Sequence, residues 1–267
     1  GVSVLSDTAD NTARHRLTSV RRWVIKVGSA LLTNDGLGLD PLVMKTLTRQ
    51  LASLHALGHE VVLVSSGAIA AGLVRLNLAE RPREIHLSQA AAAVGQSALV
   101  RAYEDCLGPH GVVTAQILLS HADVRARDRY LNARSTLNTL LGMGVLPIIN
   151  ENDTVVTDEI RLGDNDTLAA LVANLVDAEA LLILTDQDGL MDRDPRQDKD
   201  AKLIASADVH EPDLDAIAGE GSALGRGGMA TKLSAARLAA RPGTSTIIAN
   251  GRLPDVIPKV VEGQLVG

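Results

Sequence analysis

Two clusters of asparagine and acid lie close together in this chain: Asn150-Glu151-Asn152-Asp153, and Gly163-Asp164-Asn165-Asp166. The first closes an apolar run, Val145-Leu146-Pro147-Ile148-Ile149, and the second opens a stretch with a helical pattern. Carboxylates and carboxamides at the carboxyl end of a buried strand can grip a zwitterionic ligand and orient catalytic cations. The competing chemistry is that of turns, since Asn and Asp cap helices and close side-chain turns. Asp164 in particular is placed to cap the helix that follows.

Cations that could work with those acids come from opposite ends of the chain. Lys26 interrupts the apolar run Trp23-Val24-Ile25-Lys26-Val27. It either snorkels its ammonium to the surface or leaves the strand toward a helix start, where it can neutralise phosphate. Gly225-Arg226-Gly227-Gly228-Met229-Ala230-Thr231-Lys232 is a glycine-rich loop running into a helix, with Lys232 in its first turns. Glycines let a backbone approach a phosphate closely, although such a loop can equally be a plain connection. It is not a Walker loop, because Gly-Lys-Ser/Thr occurs nowhere. The dinucleotide fingerprint and the His-Arg-Asp and Asp-Phe-Gly signatures of protein kinases are missing too. Ser65-Ser66-Gly67 ahead of a helix offers either backbone N–H groups for an anion or an ordinary cap. Thr185-Asp186, after a very apolar strand, suits nucleotide-sugar contacts or a simple loop start.

Other conspicuous residues read blandly. His55 and His59 have the spacing of a metal pair, but Gly58 ends the helix between them. Arg125, Arg127, Arg129 and Arg134 suit a solvated or subunit-facing surface. Cys106 reads as a helix filler.

The elements that must position these groups alternate apolar runs with helical patterns, which predicts β-α-β units and a mainly parallel sheet. Strands are predicted at Trp23–Val27, Glu60–Val64, near Val112–Leu118, at 145–149, Ala180–Leu184 and Thr246–Ala249. Asp40 caps a helix with Pro41 at its first position and Val43, Leu47, Leu51 and Leu54 in one stripe. Further helices are predicted over about 88–107, Asp123–Met143, Asp166–Leu175 and after Gly228, the last ending at Pro242-Gly243. Thr154–Leu162 is expected to form a short hairpin projecting from the sheet. In an open parallel sheet the ligand crevice lies outside the carboxyl ends of the strands. Lys26-Val27-Gly28-Ser29, Ser65-Ser66-Gly67, Asn150–Asp153 and Thr185-Asp186 would then converge on one cleft.

Composition agrees. The 267 residues include no Phe, one Trp and two Tyr, yet 46% are hydrophobic. A core of Val, Ile, Leu and Ala suits strands covered by helices on both faces, a three-layer α-β-α sandwich. Net charge is −6, so composition advertises no nucleic-acid surface. No apolar stretch approaches the ~20 residues of a membrane helix. The single Cys106 forbids an intrachain disulfide and fits a reducing cytoplasm. Residues 1–20 are polar without a signal-peptide core and are expected to be a disordered lead-in to one domain over 21–267.

Taken in order, Val-Ile-Lys26-Val-Gly-Ser, Val-Ser-Ser66-Gly-Ala-Ile-Ala-Ala-Gly, Ile-Asn-Glu-Asn-Asp153, Gly-Asp-Asn165-Asp166, Leu-Thr185-Asp186-Gln-Asp-Gly-Leu and Gly-Gly-Met-Ala-Thr-Lys232 resemble the glutamate 5-kinases of the amino acid kinase family. The resemblance runs from about Arg22 to the C-terminus. Arg226 stands where the family usually has a small hydroxyl residue, and Met191 where an aromatic is frequent. Many relatives also carry a C-terminal PUA-type domain, and this chain ends about where that would begin.

The resemblance implies the amino acid kinase fold and transfer of the ATP γ-phosphate to the side-chain carboxylate of L-glutamate, for proline synthesis. Lys26 and Lys232 would stabilise the transferring phosphoryl group and Asp166 would orient both lysines, with Mg²⁺ held chiefly by nucleotide phosphates and water. Ser66, Gly67, Asn150, Asp153 and Asn165 would form the glutamate cradle, Asp153 pairing with the α-ammonium. Thr185, Asp186 and the loop Arg226, Gly227, Gly228, Met229, Ala230, Thr231 and Lys232 would hold ATP, together with Lys26. The resemblance also carries over a homo-oligomer, dimer or tetramer, and inhibition by proline. Two other readings stand beside it: a sister kinase for acetylglutamate, aspartate or a small phosphate, and a non-catalytic nucleotide- or oxyanion-binding protein. Asp153 favours a free α-ammonium over an acetylated one. A binding protein should have lost one of Lys26, Asp166 or Lys232, and all three are present.

Overall fold

A computed structural model describes residues 2–6, 16–151, 166–189 and 228–264 except 242, with short pieces between 191 and 214. Its eight-stranded sheet has the order β4-β5-β3-β2-β6-β8-β1-β7. The strands are β1 (Val2–Ser6), β2 (Arg22–Val27), β3 (Glu60–Ser65), β4 (Thr114–Leu119), β5 (Leu146–Glu151), β6 (Ala180–Thr185), β7 (Ser206–Asp208) and β8 (Ser245–Asn250). From β4 to β8 every pairing is parallel; β1 pairs antiparallel with β8, and β7 is parallel to β1.

The period-two geometry of a strand sends alternate side chains to opposite faces. Trp23, Ile25 and Val27 of β2 enter one apolar layer, with Leu99, Tyr103 and Leu107 from helix Ile85–Leu107 and Met44, Leu47 and Leu51 from helix Pro41–Ala56. Val24 enters the other, with Leu137 and Leu141 of helix Arg127–Gly142, Leu168 and Val172 of helix Asp166–Leu175, and Ala235 and Ala239 of helix Met229–Ala239. Helices therefore cover both faces, giving the expected three-layer sandwich.

Local signals explain several boundaries. Asp40 accepts from the backbone N–H groups of Leu42 and Val43, and Gly58, at φ +90°, turns the chain after Ala56. Helix 85–107 begins earlier than its Ala-rich pattern suggests because the Glu84 carboxylate accepts from His86 and Leu87 N–H. The single helix expected over Asp123–Met143 is two helices, His121–Arg125 and Arg127–Gly142. Ser120 and Asp123 form a reciprocal capping box, and Ala126 is extended.

The N-terminal expectation needs correction. Val2–Ser6 is a strand wedged between β8 and β7, with Ser3, Val4 and Leu5 buried, and Leu17 is buried in a single turn of 3₁₀-helix. Five residues are too few to signal a strand by pattern; pairing on both edges is what orders them. The hairpin expected over Thr154–Leu162 lies outside the described residues.

Candidate active site

Side-chain parity decides where Lys26 goes. It shares the Val24 face of β2, where helix 166–175 packs, and is only 4% exposed, so it does not snorkel. Its Nζ stands 2.7 Å from Asp166 Oδ1. Lys232, in the first turns of the neighbouring helix 229–239, is also buried and places Nζ 3.4 Å from Asp166 Oδ2. The Thr231 hydroxyl donates to the same Oδ2 at 2.8 Å and lies 2.7 Å from the Gly228 carbonyl. Two lysines far apart in sequence thus share one fully buried carboxylate.

Burial by itself would push the Asp166 carboxyl up. The Lys26 and Lys232 charges, with hydrogen bonds from Lys26 and Thr231, outweigh that and hold it at about 2. Asp166 is therefore an anion throughout the physiological range. Among the described residues, Asp166 is the carboxylate that stands between the two ammonium groups. Isolating ions from water costs several kcal/mol each, and an anionic guest beside the two ammonium groups would offset part of that cost.

The guest's cleft opens at the carboxyl ends of β2, β3, β5 and β6, on both sides of the point where the chain's strand order reverses. Lys26, Gly28, Ser66, Gly67, Asn150, Thr185, Asp186 and Lys232 all line it. Gly28 keeps the ammonium of Lys26 uncovered, since a Cβ there would sit 3.4 Å from Nζ. Gly67 has φ +113°, which allows the chain to leave β3 and enter helix Ala68–Arg75 at once. Gly67 itself is the N-cap of that helix, so the capping position carries no side chain. Asn150 is 5% exposed, and its amide nitrogen has no hydrogen-bond partner among the described residues. A buried donor left unmet costs about 1–3 kcal/mol, which an oxyanion in the cleft would recover.

On the other side of the cleft, Thr185 is buried and its hydroxyl lies 3.4 Å from Oδ1 of Asp186, which is exposed. The glycine-rich loop divides. Gly228, Met229, Ala230 and Thr231 form the helix start, but they do not line the cleft among the described residues. Met229 packs instead into an apolar cluster with Leu5, Leu214 and Leu233. Arg226 and Gly227, like Asp153 and Asn165, lie outside the described residues.

Three contributors, Arg81, Ala30 and Leu31, escaped the sequence reading. Arg81, exposed in the loop between helices 68–75 and 85–107, reaches the cleft rim, and Ala30 and Leu31 extend the lining beyond the expected Ser29. Arg81 belongs to no periodic pattern, and only the tertiary path of its loop brings it here. Of the bland residues, His55 Nε2 lies 2.7 Å from the Gly144 carbonyl, Arg134 pairs with Asp177, and Cys106 packs against the core.

The sequence model of the amino acid kinase family matches residues 21–250. The chain belongs to that family. Within it, the glutamate 5-kinase of Saccharophagus degradans is 59% identical over 254 residues, which is 95% of this chain and 68% of the relative. The glutamate 5-kinase of Chromohalobacter salexigens is 57% identical over 259 residues, 97% of this chain and again 68% of the relative. Among solved structures, the family's fold recurs in the UMP kinase of Ureaplasma parvum, with a TM-score of 0.59 at 17% identity over 92% of this chain and 96% of that one. An isopentenyl phosphate kinase superposes with a TM-score of 0.62 at 18% identity, covering 92% of this chain and 97% of that one. At such identities these two establish the shared fold.

Proposed function

We infer that the chain is a kinase that transfers the γ-phosphoryl group of ATP to the side-chain carboxylate of L-glutamate, giving γ-glutamyl 5-phosphate, the first step of proline biosynthesis. The observation that carries this is identity of 57–59% to glutamate 5-kinases across at least 95% of the chain. The buried Lys26–Asp166–Lys232 cluster at the cleft supports it chemically.

A glutamate side chain has a pKa near 4.3, so the nucleophile is ionised at neutral pH and no general base is needed. One carboxylate oxygen attacks Pγ, the bond from Pγ to the β,γ-bridging oxygen breaks, and ADP departs with that electron pair. The barrier lies in bringing an anion to a polyanion, so catalysis is positioning plus charge neutralisation. Lys26 and Lys232 would contact the transferring group, and Asp166 would hold both ammonium groups at their spacing. Asp166 is not a base, because its low pKa makes it a poor proton acceptor.

Glutamate would lie against Ser66, Gly67, Asn150, Asp153 and Asn165, with the nucleotide against Thr185, Asp186 and residues 226–232. Mg²⁺ would neutralise the nucleotide phosphates and be held by their oxygens and water. The chain fits that arrangement, since Asp166 already faces Lys26, Lys232 and Thr231. The same reading carries a cytoplasmic location, self-association and inhibition by proline. No described helix is long and apolar enough to cross a membrane.

The test is ADP release with ATP, Mg²⁺ and glutamate, trapping the acyl phosphate as a hydroxamate. Hydroxamate from glutamate, with little from N-acetylglutamate or aspartate, is expected. A preference for either of the others would reassign the substrate within the family, and absence of turnover with all three would favour a binding protein.

A further inference from the structure

One buried polar group near the cleft has no part in the chemistry above. Tyr103, on helix 85–107, is 1% exposed, and its hydroxyl oxygen lies 2.6 Å from Ser65 Oγ, the last residue of β3. Ser65 Oγ in turn donates to the carbonyl of Ser66 at 2.8 Å. A carbonyl cannot donate, so the Ser65 proton points at Ser66 and the Tyr103 hydroxyl must donate to Ser65. Direction is thereby fixed along Tyr103 O–H, Ser65 O–H and Ser66 C=O. The Ser66 amide is held as well, donating to the Val27 carbonyl at 3.0 Å. Both peptide groups flanking the Ser66 side chain are therefore anchored, one to β2 and one to the Ser65 hydroxyl that Tyr103 holds. The next residue is Gly67, whose φ of +113° starts the cleft-lining helix.

We propose that Tyr103 is a positioning residue for the acceptor substrate, locking the Ser66–Gly67 elbow through Ser65 without touching the substrate itself. The inference rests on the reading that Ser66 and Gly67 form part of the glutamate cradle. Burial pushes the Tyr103 hydroxyl well above its ordinary range, so it stays a neutral donor at every working pH. Leu99 and Leu107, one turn to either side, are fully buried and hold the ring in register. Phenylalanine would fill the same space and delete only the donated proton.

The test is steady-state kinetics of the whole chain bearing Tyr103→Phe, Ser65→Ala or both, with thermal unfolding in parallel. Tyr103→Phe should raise the KM for glutamate about three- to tenfold, the worth of one neutral hydrogen bond, while the KM for ATP stays within about twofold. The double variant should be no worse than Ser65→Ala, because the tyrosine acts only through that serine. A lowered melting temperature with unchanged glutamate KM would overturn the proposal and make Tyr103 a structural residue. So would additive effects in the double variant. Absence of acyl phosphate from glutamate in the wild-type chain would overturn the reading of the reaction and this proposal with it, whereas normal wild-type turnover with an unmoved glutamate KM in Tyr103→Phe would overturn the proposal alone.

Discussion

Lys26 and Lys232 meet at a single carboxylate. Asp166 presents Oδ1 to the first at 2.7 Å and Oδ2 to the second at 3.4 Å, with no exposure to solvent. Without that anion the two ammonium groups would repel across a dry site, and the spacing needed to flank one phosphoryl group would be lost.

Replacing Asp166 by Asn keeps the shape and removes the charge. Stability should fall by about 3–5 kcal/mol, the usual penalty for stripping one partner from a buried pair. Urea unfolding of the two proteins at neutral pH measures this. Acid gives a second signature. Because the folded pKa of about 2 lies below the ordinary 3.8, the wild-type protein gains stability from Asp166 above pH 4 and loses it as pH falls toward 2. That contribution is on the order of 2 kcal/mol. The difference in stability between wild type and Asp166→Asn should therefore shrink over pH 4 to 2; a constant difference would remove Asp166 from the acid response.

Helices 68–75 and 85–107 touch backbone to backbone through glycines. A Cβ on Gly95 would lie 1.8 Å from the Ala68 carbonyl oxygen, and one on Gly72 would lie 1.7 Å from that of Ala91. Gly95→Ala must force the helices apart, and Ala68 follows directly on the Ser66–Gly67 elbow. The expected result is a loss of at least about 2 kcal/mol in unfolding free energy together with a raised glutamate KM. Wild-type stability in this variant would show that the contact tolerates expansion.

Arg81 sits exposed on the cleft rim, so its attraction for an anionic substrate is a screened surface effect. Arg81→Ala should raise the glutamate KM about three- to tenfold in dilute buffer, with the difference fading near 0.5 M salt. A salt-independent effect would point to packing instead.

Asp153 is assigned to the substrate's α-ammonium. Asp153→Ala should raise the glutamate KM by at least about tenfold, as expected for loss of a charge-assisted contact, with ATP affinity preserved. Isothermal titration with each substrate separates the two. An unchanged glutamate KM would contradict the ammonium role.

Much of this site was legible because its parts are local in sequence. Strand-end loops such as Lys26-Val27-Gly28 and Ser65-Ser66-Gly67 sit where an open parallel sheet puts its crevice, and Asp40-Pro41 marks a helix start by chemistry alone. Tertiary features were not legible. Val2–Ser6 becomes a strand only through two neighbours that arrive much later in the chain. Tyr103 looks like any core aromatic until Ser65 is brought against it. Met229 packs beside a small apolar cluster with Leu5, Leu214 and Leu233, a contact that its place in a glycine-rich motif did not reveal. The Ser120 capping box was visible as Ser-His-Ala-Asp and marks the start of the helix at His121, but nothing local signals the break at Ala126.

The most direct measurement of the central claim is single-turnover formation of hydroxamate-trapped acyl phosphate by wild type and Lys232→Ala at saturating ATP, Mg²⁺ and glutamate. If both ammonium groups stabilise the transferring phosphoryl group, the alanine variant should react ~10²–10³ slower, the loss typical of one preorganised electrostatic donor. Transfer at close to the wild-type rate would mean that Lys232, although it shares the carboxylate with Lys26, takes no part in the reaction.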